Sequence, residues 1–435
     1  MLSINQNETT EKLERLSEGK NILTTQRIHE IAKQCGVMDQ RRRKLPIEVF
    51  FWLMIVAVGS GGKIQLKGIG QIFHTARLLA GVAAEAAGIS KEAISEHLSN
   101  CSWLFFKAVF DDLCLEIGQH SKIIWKEMRV FLVDATAFQV AMRLIGQFPG
   151  NRTRKREFWA GVKLHFRYEL FHGLPEVIAL TAQIRNDVTV NFLLPIGQPV
   201  LYMFDLGYWK YATFKQIIER GQHFITRCKS VVNPLILAVY QGDPNWVGKR
   251  YKTIDLSGQS IDILVQLGKK NNPKRQLVHP VRLVGFWNPT HQRWQLYITS
   301  LLDPSAFPVD LLVHLYRLRW QIEIFFRNLK YVLHICQFVS TSENGIRIQI
   351  YAALIFYVLT NLSIYEAARS SGRPPSHFSF PYCAKLVHLY LSLAFYGLLS
   401  VSQLLSQVLI SLLSYGGLRP KRVAKPPKIE LGGLS

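Results

Sequence analysis

Three carboxylates in this chain stand at places suited to catalysis: Asp134, Asp205 and Glu323. Asp134 closes the apolar stretch of MRVFLVDATAF (128–138), and Asp205 closes that of QPVLYMFDLGYWK (198–210). Both runs read as buried strands. A carboxylate at the end of a central strand lies at the lip of the sheet, where reacting groups are exposed. One aspartate after a strand often does no more than open a turn. Two on two core strands are a better sign. Glu323 lies in LYRLRWQIEIFFRNLK (315–330), which reads as one helix. At about 100° per residue, Tyr316, Arg319, Glu323, Arg327 and Lys330 fall within an arc of roughly 80°. Leu318, Ile322, Phe325 and Leu329 form the opposite, apolar side. A plain surface ion-pair network would look similar on this helix alone. Grouped carboxylates are hard oxygen ligands, suited to a divalent cation and to reactions at phosphate, a centre ringed by negative charge.

The elements that must position these residues follow from periodicity. Residues 1–125 read as helical, with apolar residues at threes and fours. Within them, AAEAAGISKEAISEHLSN (83–100) resembles a helix–turn–helix. Gly88 would make the turn, Ser90 would cap the second helix, and Lys91, Ser95 and His97 would face outward. A capped helix pair in a bundle fits the same pattern. GVKLHFRYEL (161–170) and PEVIALTAQI (175–184) alternate and predict a hairpin, with Lys163 and His165 on one strand face. YATFKQIIERG (211–221) predicts a helix stopped by glycine, and HFITRCK (223–229) a strand. Residues 230–305 hold several short strand-like pieces, among them PLILAVY, YKTIDL, SIDILVQLG, PVRLVGFW and RWQLYITSL. After Pro308 the chain reads as helical to about 415. The tail 418–435 is basic and proline-rich, an electrostatic arm.

Composition limits what the chain can be. Hydrophobic residues make up 49% of its 435 residues, which excludes a largely disordered chain. Lys and Arg number 52 against 30 Asp and Glu, a formal charge of +22. Such an excess points to a polyanion, nucleic acid first and an anionic membrane surface second. Basic clusters at 41–44, 152–156, 249–252 and 269–275 read as solvated loops or, since no acids balance them, as phosphate contacts. The six cysteines form no C-x2-C pair, so neither structural zinc nor a redox motif is signalled. The polar N-terminus has no apolar secretory core. Residues 386–415 carry no Asp, Glu, Lys or Arg and are long enough to span a bilayer. Their polar residues fall on one helical stripe, as in a soluble helix packed on most of its surface or a membrane helix packed in a bundle. The run 47–62 is too short to span and reads as a buried helix.

With these residues in view, the chain resembles the DDE transposases of bacterial insertion sequences. Asp134, Asp205 and Glu323 look like their acidic triad. Y-x2-R-x3-E-x6-K at Tyr316, Arg319, Glu323 and Lys330 resembles the Tyr-Arg-Glu-Lys signature of the group that cuts through a DNA hairpin. Asp134-Ala-Thr, GVKLHF, Asp205-x-Gly-Tyr and RWQLYITSL agree in order over 126 to about 372. Leu206 departs from the arginine that many members carry after the second aspartate, so no phosphate contact is assigned there.

The resemblance implies an α/β fold: an RNase H-like catalytic core (126–229 and 306–372) interrupted by a β-rich insertion (230–305). A helical DNA-binding region (1–125) precedes it, and a helical region (373–417) that would support dimerisation and the basic tail (418–435) follow. It implies a transposase that excises and inserts a mobile element at its terminal inverted repeats. Two Mg2+ ions, with Mn2+ as a substitute, would be held by Asp134, Asp205 and Glu323. Tyr316, Arg319, Lys330, Arg327 and Arg227 would contact DNA. Trp294, or Trp287 in its place, would stack on a flipped base, with a core aromatic as the other reading of Trp294. Double-stranded DNA and a second copy of the chain are the implied partners, and the bacterial cytoplasm, with its nucleoid, the implied location. A DNA-binding regulator without catalysis, and an RNase H-like nuclease without strand transfer, are the alternatives.

Overall fold

The computed structural model describes residues 23–39, 44–120, 125–151, 158–256, 260–268, 276–335 and 337–398, with 408, 411 and 412. The basic clusters at 152–156 and 269–275, most of 41–44, most of the uncharged run beyond 398 and the tail 418–435 lie outside the described residues. The chain divides into two compact units. One contains residues 121–327 and 336–341; the other contains 1–120, 328–335 and 342–435.

The first unit is built on a sheet. Its strands are β1 (Arg129–Val140), β2 (Ala160–Glu169), β3 (Leu174–Ala182), β4 (Val200–Phe204), β5 (His223–Arg227), β6 (Leu235–Gln241), β7 (Ser260–Gln266), β8 (Val281–Asn288) and β9 (Arg293–Thr299). Among the described residues they form one sheet in the order β3-β2-β1-β4-β5-β9-β8-β7-β6. β1, β4 and β5 run parallel, whereas β1–β2 and β2–β3 pair antiparallel. This order and these directions are those of an RNase H-like core. Val130 to Val133 and all of β4 are buried, the continuous burial of strands covered on both faces. The helix Tyr211–Glu219 makes the crossover from β4 to β5. Its Phe214 stacks on Phe224 at 4.5 Å between ring centroids. Gly221 stops it at a φ of +69°, where a side chain would be strained.

The insertion does not make a separate sheet. β9 pairs antiparallel with β5, and β8, β7 and β6 continue outward from it. YKTIDL, expected as a strand, contains a short 3-10 turn at Tyr251–Thr253. β1 also differs from expectation: it runs six residues past Asp134, so this aspartate lies within the strand. A buried ion pair anchors the insertion. The Arg282 guanidinium meets Asp262 at 3.0 and 2.5 Å. It also donates to the carbonyls of Leu301, Asp303 and Phe307, fixing the segment that leads into the helix Val309–Arg317.

The second unit is helical. Its longest element, Glu343–Ser371, packs against Ile47–Gly59, Trp103–His120 and Phe380–Phe395. A Cβ on Gly59 would lie 2.2 Å from the Phe356 ring, so glycine permits that close crossing. Thr360 and Ser363 return their hydroxyls to carbonyls one turn back and so are tolerated in the apolar interior. By length and composition this helix could cross a membrane, yet 89% of its most apolar window is buried inside the protein. It falls within the segment 306–372, which the sequence reading places in the catalytic core. By its contacts it groups with the N-terminal helices, its apolar surface extending around the helix and meeting helical neighbours on several sides. Ile47–Gly59 is a buried helix, as its length predicts. In the 83–100 segment, Ser90 caps Lys91–Asn100 by accepting from the Ala93 N–H. The preceding helix is one turn only, Ala84–Ala87. Lys91 and Ser95 are exposed, but His97 turns inward, with its ring nitrogens 3.0 and 3.1 Å from the Ala93 and Leu45 carbonyls.

Candidate active site

Register places the first two acids side by side. Val133 pairs with Phe204 across the parallel β1–β4 ladder, and the next residue on each strand is Asp134 and Asp205. Side chains one residue beyond a common rung lie at the same level and on the same sheet face. Asp134 Oδ1 accepts from the Ala135 N–H at 2.8 Å. Asp205 caps the 3-10 turn Leu206–Tyr208, its Oδ1 accepting from the Gly207 N–H at 2.8 Å. A Cβ on Gly207 would lie 3.0 Å from that oxygen, so glycine leaves the carboxylate room.

The signature segment is not one helix. Val309–Arg317 ends, a tight i→i+3 turn follows, and Trp320–Arg327 begins. Leu318 and Arg319 donate back three residues, to Leu315 and Tyr316, which breaks the uniform 100° step. The shared face predicted for Tyr316 and Arg319 is therefore lost. Tyr316 is buried, and its hydroxyl donates to the Phe204 carbonyl at 3.2 Å. That hydroxyl is committed to the backbone, not free for a phosphate. Arg319 and Glu323 turn toward the aspartates: Arg319 Nη2 donates to Glu323 Oε1 at 2.7 Å, and its Nη1 lies 3.4 Å from Asp134 Oδ2. Beyond Arg327 the chain enters a π-helical turn, Asn328–Val332, which holds Lys330 and groups with the helical unit. On the apolar side, Phe325 packs edge-on against Phe166 of β2 at 5.0 Å, as the helix pattern requires.

The other candidates divide. Arg227 is exposed at the end of β5, opposite Tyr297, and its charge reaches both Tyr297 and Tyr316. Arg327 is exposed one turn after Glu323. Trp294 is half-buried against the core of the insertion and meets Trp287 edge-on at 6.1 Å. Trp287 is the more exposed of the two.

Two further residues stand at the site: Tyr208, which the sequence marked only as the end of Asp205-x-Gly-Tyr, and Asp187, which it did not single out. Tyr208, 2% exposed, has a buried hydroxyl without a hydrogen-bond partner among the described residues, within electrostatic reach of Asp134, Asp187 and Asp205. Asp187 turns Oδ1 to the Lys163 ammonium at 3.0 Å. Its only trace in the sequence is the alternation of Lys163 and His165 on β2. His165 is 1% exposed, and burial pushes its imidazole down to about 4, so it is neutral near pH 7. Its Nε2 lies 3.0 Å from the Thr181 hydroxyl, a structural role.

Burial pushes the Asp134 carboxyl up to about 7; the Ala135 N–H and Arg319 oppose this, while Asp205 and Glu323 add to it. Like charges in a partly buried site resist ionising together, and a cation relieves them. The donor set fits a divalent ion. All three candidates offer hard oxygens, and Asp134 and Glu323 already share one cation, the Arg319 guanidinium. Among the described residues no three Asp, Glu, His or Cys side chains are near enough to grip one ion together in this arrangement.

Residues 125–359, more than half of the chain, match the family model described as "Transposase DDE domain". The chain belongs to this family. Among relatives, it is 29% identical to the Sinorhizobium fredii protein y4zB over 47% of this chain and 53% of that one. It is 28% identical to a Geobacillus stearothermophilus protein named "probable transposase for insertion sequence element IS5377", over 59% of this chain and 61% of that one. A Bacillus thuringiensis transposase for insertion sequence element IS231D is 22% identical over 79% of this chain and 78% of that one. The matches thus span between half and two thirds of the first two relatives' own length.

Proposed function

We propose that this chain is a DNA transposase that cuts at the terminal inverted repeats of a mobile element and joins the freed ends to target DNA. The observation that carries this reading is the convergence of Asp134, Asp205 and, through Arg319, Glu323 at one end of the parallel strands.

Asp134, Asp205 and Glu323 would hold divalent ions, Mg2+ or Mn2+. When bound, two such ions activate an attacking oxygen and stabilise the leaving one in phosphodiester cleavage. The chain's own residues do the rest. The Gly207 N–H orients Asp205, and Tyr316 fixes the carbonyl just before it. Arg227 and Arg327 offer exposed guanidinium groups to backbone phosphates. Lys330 joins them in the signature. Lys91 and Ser95, exposed on a capped helix, are suited to reading the element's ends. Four successive phosphoryl transfers are assigned to this one site: nicking, hairpin formation by the freed 3′-OH, hairpin opening by water, and attack of the 3′-OH on target DNA. Two copies of the chain would pair the two ends.

The test is incubation of the purified protein with labelled DNA carrying the element's ends, with and without Mg2+, on a denaturing gel. A metal-dependent hairpin product that disappears in Glu323→Gln supports both site and route. Full cleavage by Glu323→Gln refutes the triad. Nicks joined to target without any hairpin would keep the transposase and discard the hairpin.

A further inference from the structure

We infer that Arg319 is the acidic site's own counter-ion, and that by moving from carboxylate to DNA phosphate it couples divalent-cation binding to DNA binding. The inference rests on the reading of Asp134 and Glu323 as cation ligands.

The geometry is a bridge. One guanidinium nitrogen meets Glu323 at 2.7 Å and another meets Asp134 at 3.4 Å. The arginine side chain is 13% exposed, and the two carboxylates 20% and 33%. Partly buried charge-assisted contacts of this kind are stronger than exposed ones. Arginine does not lose its proton, so its charge leaves the bridge only if the side chain moves. A divalent ion shared by Asp134 and Glu323 would add two positive charges where one already sits, at hydrogen-bonding distance from the same oxygens. Ion and guanidinium therefore compete for these two carboxylates.

Another cation near the site, Lys163, is committed elsewhere. Lys163 is held by Asp187 and by the Arg185 carbonyl. Arg227 lies toward Tyr297 and Tyr316. A phosphate presents the same forked pair of oxygens as a carboxylate, and the guanidinium fits both. DNA at the site thus gives Arg319 a second partner and frees the carboxylates for the ion. By linkage, the ion must tighten DNA binding by the same factor. A protein built this way takes up its metal poorly until its substrate is in place.

The experiment measures ion binding rather than cleavage. Full-length wild type, Arg319→Gln, Arg319→Lys and Glu323→Gln are titrated with Mn2+, and free ion is counted by electron paramagnetic resonance. Each is titrated alone and then with a pre-cleaved duplex ending at the element's terminus, which has no bond left to cut. Without DNA, Arg319→Gln should bind Mn2+ more tightly than wild type, within the ~5–150-fold range of site-to-site coupling. The duplex should tighten wild type by a similar factor and leave Arg319→Gln nearly unchanged. Arg319→Lys keeps the charge and should stay closer to wild type. Equal or weaker Mn2+ binding by Arg319→Gln, with Glu323→Gln still weakening it, overturns the counter-ion role alone. Unchanged Mn2+ binding in Glu323→Gln overturns the acidic-site reading, and this inference with it.

Discussion

Tyr316 donates its hydroxyl to the carbonyl of Phe204, the residue directly before Asp205, at 3.2 Å. The tyrosine that opens the signature segment is therefore attached to the strand end that carries the second acid. Its ring lies 4.8 Å from Tyr297 of β9, and burial pushes its hydroxyl up to about 12, so it stays a donor near neutral pH. Helix and strand are joined through the interior, beneath the carboxylates that they present.

Tyr316→Phe should therefore weaken the site from below. Removing the hydroxyl leaves the Phe204 carbonyl without that donor, a loss of about 1–3 kcal/mol. Urea unfolding should show this as a lower midpoint. The cleavage rate should fall, while end binding, measured by gel shift, holds.

Asp134→Asn, Asp205→Asn and Glu323→Gln keep shape and remove charge. Each should abolish cleavage of labelled ends in Mg2+ and leave gel-shift affinity within a few-fold of wild type. Retained cleavage by any one would remove it from the triad.

Gly207→Ala tests the cap. The new Cβ would stand 3.0 Å from Asp205 Oδ1 and must displace it by a few tenths of an ångström. Displacements of this order slow reactions that depend on near-attack geometry, by up to about 10²-fold for 1 Å. Cleavage should drop several-fold with little change in thermal unfolding. An unchanged rate would mean that Asp205 can shift without consequence.

With a formal charge of +22, end binding should fall steeply with salt. Arg227→Ala and Arg327→Ala should each lower the slope of log K against log salt by about 1 if each neutralises one phosphate. Fluorescence anisotropy across 50–300 mM salt reads this directly, and an unaltered slope excludes that arginine as a contact.

Asp262→Ala leaves Arg282 buried and unpaired in the insertion. Breaking a buried pair from one side costs about 3–5 kcal/mol. Chemical denaturation should show a loss of that order, whereas Asp262→Asn, which keeps an acceptor beside the guanidinium, should lose less.

The sheet was largely legible because burial leaves a clear trace. Runs such as Val130 to Val133 and Val200 to Phe204 are apolar without interruption, and each is followed by an aspartate. The two aspartates could be picked out for that reason, and Glu323 by the spacing of its helical segment. Features set by neighbours distant in sequence were not legible. The break before Trp320 is invisible to a count of helical angles, since the tight turn arises when Tyr316 is drawn inward to Phe204. Glu343–Ser371 packs with the N-terminal helices, and an apolar helix does not say which elements will cover it. Asp187 escaped notice because its partner Lys163 lies across a hairpin. His97 reads as a polar outward residue until the Leu45 carbonyl is known to face it.

The pairing of β5 with β9 has a consequence for how this protein can vary. The chain leaves the core at Arg227 and returns at Tyr297, and the two are register partners. Exit and return are thus clamped to each other, whatever length of polypeptide lies between them. Loop closure grows only slowly with length, by about 0.6 kcal/mol per doubling. The excursion can therefore be shortened, extended or exchanged at its far edge, β6, without moving Glu323 relative to the aspartates. A lineage could change what this arm touches while its chemistry stays fixed, and an engineer could graft a different module at the same seam.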